Sequence, residues 1–102
     1  MLNKALSMIG IAAKAGNVVS GEFSTEKAVK TGKAYLVIVA EDASENTTKM
    51  FRNMTDFYEV PMEVVGTKDE LGRVIGKQFR ASLAITDEKL ADAVKAKLNK
   101  TE

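Results

Sequence analysis

The sequence predicts an α/β fold, a three-layer α/β/α sandwich around a small sheet, and three observations carry that prediction. Segments with helical spacing alternate with short β-branched runs along the whole chain. One of those runs, Ala34–Ala40 (AYLVIVA), is continuously apolar, as a strand covered on both faces must be. Glycines and capping residues punctuate the boundaries, and no repeat, linker or low-complexity stretch interrupts them. A chain of 102 residues fits one domain, 1–102, with one core.

Each element follows from its residues. Leu2, Ala5, Leu6, Ile9, Ala12 and Ala13 recur at helical spacing, so a first helix ends at Gly16. Asn17–Ser20 forms a short strand bounded by Gly16 and Gly21. Thr25, Ala28, Val29 and Gly32 mark the inward face of a second helix, with Glu22, Glu26, Lys30 and Lys33 on its outer side. Ala34–Ala40 is the central strand. Ser44 caps a third helix whose apolar stripe is Thr47, Met50, Phe51, Met54 and Tyr58. Pro61 permits the short strand Met62–Val65 but no further helical turn. Thr67–Glu70 (TKDE) is a capping box that opens a short helix holding Leu71, Val74 and Ile75, stopped at Gly76. Ser82–Ile85 makes a fourth strand, and Thr86 or Asp87 caps a last helix with Leu90, Val94 and Leu98 inward.

Composition excludes more chemistry than it suggests. The chain has no Cys and no His. It therefore has no disulfide, no thiolate nucleophile or metal site, and no imidazole to act as general base or metal ligand. Lys4 and Lys14 break the N-terminal segment, which is too polar for a membrane span or a signal peptide. A cytoplasmic protein, monomeric and without membrane, metal or cofactor, is expected. The net charge of +1 hides an uneven distribution. Four Lys face two Glu between Lys14 and Lys33, and two Lys and two Arg face Asp69 and Glu70 between Lys68 and Arg80. Six acids face only Lys49 and Arg52 between Ala40 and Glu63. Two weakly basic stretches and one acidic stretch could give the fold one positive end; scattered charge on solvated helix faces is the plainer reading.

Enzyme readings fare badly. Glu41–Asp42 follows the central strand, where open α/β sheets place ligand-binding groups. Adjacent residues at a strand end point apart, however, and no second carboxylate cluster helps them. Acids favouring the N-terminus of the third helix are the better account. No GxGxxG or Walker sequence appears. The start of the second helix is the better candidate site. A helix N-terminus presents unpaired N–H groups and positive potential, suited to phosphate. Gly21 allows another backbone to approach closely, and Lys27 and Lys30 add charge one and two turns on.

The stretch from Ser20 to Asp42, with Gly21, a polar quartet, Lys27-Ala-Val, Gly32-Lys-Ala, an apolar strand and Ala40-Glu-Asp, resembles the signature of the L-seven-Ae ribosomal-protein family. Glu70-Leu-Gly-Arg-Val-Ile-Gly76 and Ser82-Leu-Ala-Ile85 match in order and at suitable distance, so the resemblance covers nearly the whole chain. Ala40–Thr47 (AEDASENT) and the Glu70–Lys77 segment are similar to the small bacterial YlxQ-type branch. The resemblance implies an α/β/α sandwich with a mixed four-stranded sheet. It also implies a non-catalytic RNA-binding protein, associated with the ribosome, whose partner is kink-turn RNA, in which a short bulge precedes tandem sheared G·A pairs.

Carried over residue by residue, the resemblance implies that Gly21, Glu22, Phe23, Ser24 and Lys27 enter the widened groove at the G·A pairs, with Lys30 beside them. Lys77, Gln78, Phe79, Arg80 and Ala81, in the loop from Gly76, would cover a looped-out nucleotide. The chain departs from the family at two places. Phe23-Ser24 stands where the family has Asn-Glu, and Lys77 to Arg80 partly replace an apolar pair in the covering loop. A protein-interaction module of the same fold, with weak or lost RNA specificity, is the alternative reading. Phe23 itself has two readings. It could fold over Val19 and close the sheet edge, or stay exposed beside Lys27 and pack on a sugar or base. Helical spacing favours exposure, because Thr25, Ala28 and Val29 already define the inward face.

Overall fold

The structure, a computed structural model, describes residues 3–98. Its elements alternate as expected: α1 (Lys4–Lys14), β1 (Val18–Ser20), α2 (Glu22–Lys30), β2 (Leu36–Val39), α3 (Glu45–Tyr58), β3 (Met62–Val64), α4 (Lys68–Val74), β4 (Ser82–Ile85) and α5 (Glu88–Leu98). Leu2, assigned by spacing to the first helix, lies outside the described residues. Side chains cap the helix starts where the sequence offers them. Asn3 accepts from Ala5 N–H, Ser44 from Thr47 N–H, and Asp87 from Leu90 N–H. Thr67 and Glu70 form the reciprocal capping box.

The four strands form one mixed sheet in the order β1-β4-β2-β3. β4 pairs antiparallel with both β1 and β2, and β3 runs parallel to β2. Every residue of β2 and β4 is buried. Their alternating side chains divide between two layers. Leu36, Ile38, Leu83 and Ile85 join Leu6, Ile9, Leu71 and Val94 on the side of α1, α4 and α5. Val37, Val39 and Ala84 join Ala28, Val29 and Phe51 on the side of α2 and α3. The small Ala84 lets α2 settle closely over β4. This is the three-layer sandwich, with β1 and β3 as short edges.

Four details differ from the spacing argument. Gly32 lies past the end of α2 and is exposed. Tyr58 is not part of the buried stripe of α3. It is exposed and packs edge-to-face on Phe57 at 4.9 Å, because the sheet ends at β3. Thr55 takes the inward place, and its hydroxyl donates to Phe51 O at 2.8 Å, so the buried oxygen is satisfied within the helix. Asp42, read as an acid favouring the start of the third helix, is engaged elsewhere. Its carboxylate accepts from Lys68 N–H at 2.8 Å and so serves the start of α4.

The turn after α3 carries a strain that can be tested. Glu59 has φ 58°, while its N–H and that of Val60 return to Asp56 O and Thr55 O to close the helix. A side chain in this left-handed region costs about 1–2 kcal/mol, which glycine avoids at some cost in unfolded-chain entropy. Glu59→Gly should therefore stabilise the protein by about 0.5–1 kcal/mol, read as a higher midpoint in urea. An unchanged or lower midpoint would show that the turn is not strained.

Candidate nucleic-acid interface

The sheet topology brings the start of α2 and the loop before β4 to one end of the molecule. Ser20 is paired with Leu83, and Gly21 N–H donates to Ser82 O at 3.0 Å. Ala40 N–H donates to Ala81 O at 2.9 Å on the other side of the same strand. The hydroxyl of the buried Ser82 lies 3.4 Å from that of the buried Thr25, joining β4 to the first turn of α2. The two segments that sequence comparison singled out, Gly21–Lys27 and Lys77–Ala81, are thus neighbours.

Gly21 has φ 92° and ψ 159°, a conformation that essentially only glycine adopts. A Cβ built on it would meet nothing within 4 Å. The residue is required for its backbone, and the space above it is open. Thr25 N–H is the first amide of α2 to bond within the helix, to Gly21 O. The amides of Glu22, Phe23 and Ser24 precede it, and no side chain caps them. Among the described residues α2 is the one helix whose start lacks a side-chain cap. Glu22 is exposed in its first turn, where its charge opposes the positive end of the helix dipole.

The lysines of α2 are not equivalent. Lys30 is ion-paired with Glu26 at 2.7 Å, and the hydrogen bond to Glu26 raises its pKa above the ordinary lysine value. Lys27 is exposed, and no ion pair among the described residues involves it. Of the two cations read from spacing, Lys27 is therefore the one available to an outside phosphate. Phe23 is 77% exposed and lines grooves on both sides of the helix together with Lys27. The reading in which it folds into the core over Val19 does not hold.

The loop from Gly76 to Ala81 is braced at several points. Lys77 N–H donates to Gly72 O at 2.8 Å, and Arg80 N–H donates to Lys68 O at 3.1 Å. Arg80 Nε donates to Ser20 Oγ at 3.0 Å and another guanidinium nitrogen to Phe79 O at 2.8 Å. Arg80 therefore ties the loop to the end of β1 and keeps part of its five-donor fork open. Phe79 projects outward, 67% exposed. Together with Arg73, Lys77 and Gln78 it lines a shallow cleft of about 320 Å³ beside α4. Ala81 directly precedes the interior strand β4, its carbonyl already engaged by Ala40.

Sequence reasoning missed the residue that sets this loop's path. A Cβ on Gly72 would lie 1.7 Å from Gln78 O, so the loop crosses α4 where only glycine fits. The available signal was a glycine in the middle of a capped helical segment, a position that calls for a packing reason. Ser20 and Ser82, which hold the two segments together, carried no signal apart from their strand placement.

Comparison with known proteins shows the family. Residues 3–95 match the model of the Ribosomal protein L7Ae/L30e/S12e/Gadd45 family. The chain belongs to that family. It is 40% identical over 85 residues to the RNA-binding protein YlxQ of Bacillus subtilis, covering 83% of this chain and 85% of the relative. It is 38% identical over 92 residues to the YlxQ protein of Enterococcus faecium, covering 90% and 88% of the two chains. Among solved structures, it superposes on a Bacillus halodurans protein of unknown function with TM-score 0.92 at 34% identity, covering 97% of this chain and all of that one (100%). A 15.5kD RNA binding protein from Giardia lamblia gives TM-score 0.80 at 26% identity over 93% of this chain and 82% of that one. The resemblance read from the motifs, including the YlxQ-type branch, is thereby established, and so is the mixed-sheet α/β sandwich.

Two stability measurements test the local reading. Phe23→Ala should leave the melting temperature nearly unchanged, since an exposed site shifts stability by about 0.5 kcal/mol or less; a loss near the ~3–5 kcal/mol of a truncated core phenylalanine would place it inside. Gly72→Ala should cost about 1–3 kcal/mol, because backbone must move to admit the new methyl. Wild-type stability in Gly72→Ala would mean that the loop does not cross α4 as described.

Proposed function

We propose that the protein is a non-catalytic, ribosome-associated RNA-binding protein that recognises and stabilises kink-turn RNA. The observation that carries this reading is the uncapped start of α2 at the open Gly21, flanked by the unpaired Lys27 and the braced loop from Gly76 to Ala81. Three free amides at the positive end of a helix form a phosphate site, and the open space over Gly21 admits an RNA backbone. The loop with Lys77, Gln78 and Phe79 stands where it can cover an extruded nucleotide, with the remaining donors of Arg80 beneath it. The YlxQ proteins and the Giardia protein are named for RNA binding, which supports the same use here.

The mechanism is a population shift. A kink-turn interconverts between extended and kinked forms, and a protein that binds the kinked form better raises its share. Nothing in this requires bond-making chemistry, and the chain lacks the His and Cys that commonly carry it. Phe23, in place of the family's Asn, offers a ring face for stacking instead of an amide for base-edge hydrogen bonds. Shape and phosphate contacts therefore supply a larger share of recognition than base reading does.

Binding should prefer a kinked RNA over the same duplex without its bulge, and should weaken as salt rises. Equal affinity for the two would defeat shape recognition, and the absence of a salt slope would favour the protein-interaction alternative. Within the kinked complex, Lys27→Ala should cost about 1–3 kcal/mol of binding. Lys49→Ala, on α3 in the acidic stretch, should cost little. If both substitutions weaken binding alike, the RNA contacts a different surface. Phe23→Ala should weaken binding by about 1–3 kcal/mol through lost stacking, and unaltered affinity would remove Phe23 from the interface.

A further inference from the structure

The groove on the β1 side of α2 extends beyond Gly21–Lys27, the segment assigned above to the G·A pairs. It has a volume of about 300 Å³ and runs from Phe23 past Lys27 to Lys33 and Thr86, over Val19 and Ala28. Its helical wall is α2, nine residues long, or roughly 13 Å at the α-helical rise. One end abuts the start of α2, and the other lies where β4 ends. None of the residues lining it is acidic. Edge strand β1 bounds it, so it opens to solvent along its length.

Lys33 is the residue that gives this groove a second pole. It is exposed, and no ion pair among the described residues involves it. Its backbone is fixed by the way α2 stops. Gly32, at φ 75°, returns its N–H to Val29 O at 3.2 Å, and Lys33 N–H returns to Ala28 O at 2.9 Å. The hydroxyl of Thr31 donates to Lys27 O at 2.8 Å, closing the last turn on the same wall. The groove thus has an exposed aromatic face at one end, an unpaired lysine at each of two fixed points, and an apolar floor. An aromatic face followed by cations, with no carboxylate in the lining, is the arrangement by which proteins hold single-stranded nucleic acid.

We infer that this groove holds an unpaired nucleotide flanking the kinked segment of the bound RNA, its base over Val19 and Ala28 against the face of Phe23 that lines this groove, and its phosphate on Lys33. The inference rests on the RNA-binding reading and extends it: the protein contacts single strand next to the kink as well as the kink itself. The open edge of β1 could instead accept a peptide strand, but main-chain pairing does not call for two free lysines and an exposed ring.

The test compares one kink-turn RNA in two forms, with blunt stems and with short unpaired uridine tails on its ends. The tailed RNA should bind about tenfold more tightly, the scale of one stacked base. Lys33→Ala should remove most of that gain, roughly fivefold for one lost phosphate contact, and leave the blunt RNA's affinity unchanged. Lys89→Ala, an exposed lysine of α5 in the opposite layer, should alter neither. If the tails give no gain, or Lys33→Ala weakens both RNAs equally, the groove is not a nucleotide site, while binding of the blunt RNA still upholds the kink-turn reading. Failure of the wild-type protein to bind either RNA overturns both.

Discussion

Burial of both faces of β2 and β4 is the constraint from which the rest of the molecule follows. Leu36–Val39 and Ser82–Ile85 have no solvent face, so each needs a helical layer above and below. A buried aliphatic side chain of this size contributes about 1.5–3 kcal/mol, and leaving either face bare would forfeit several of them. Two layers require helices between strands, and connections between strands and helices then fall at the ends of the sheet. The short edges β1 and β3 complete the sheet without lengthening it. The candidate interface belongs to that construction, because β1, β2 and β3 end where β4 begins.

Three helices start at this end, after β1, β2 and β3, and the way each start is treated separates structure from function. Ser44 caps α3, while Thr67, Glu70 and Asp42 together serve α4. Their amides and positive ends are used inside the molecule. The start of α2 has Gly21, which brings an extended backbone at positive φ and no side chain to occupy the amides. The same glycine that costs the protein a cap leaves the first amides of α2 without a side-chain partner. Ser82 makes that exposure affordable by fixing the surroundings, with its carbonyl on Gly21, its hydroxyl near Thr25 and its neighbour Ala81 on Ala40.

The layering was legible in the sequence because it follows from periodicity. An unbroken apolar run between two helical patterns has few alternatives, and the capping box fixed the start of α4 to the residue. The limits of legibility lay where partners are distant in sequence. Asp42 looked like a helper of the helix beside it, but its carboxylate reaches Lys68 across a chain separation that no local pattern encodes. Lys30 looked like a free cation until Glu26, one turn before it, was seen to hold it. Arg80 looked like a ligand group, and its bond to Ser20 shows that it also positions the loop. Tyr58 obeyed the helical stripe and still lies exposed, since the stripe cannot say where the sheet ends. Phe23 could be placed only by asking which face of α2 was already filled, and the answer of exposure held.

Charge completes the argument about direction. The acids of the stretch from Ala40 to Glu63 fall on α3, β3 and the turns around them, and Glu41, Asp42 and Glu45 stand beside the start of α3. Lys27, Lys77 and Arg80 fall on α2 and on the loop before β4. In the RNA-binding reading, a phosphate backbone crossing this end of the sheet is drawn toward α2 and the loop and repelled along α3. Coulomb terms between exposed groups are small individually and screened beyond about 8–10 Å, so the fence of acids cannot supply affinity. In that reading it disfavours the approach in which the strand would lie over α3.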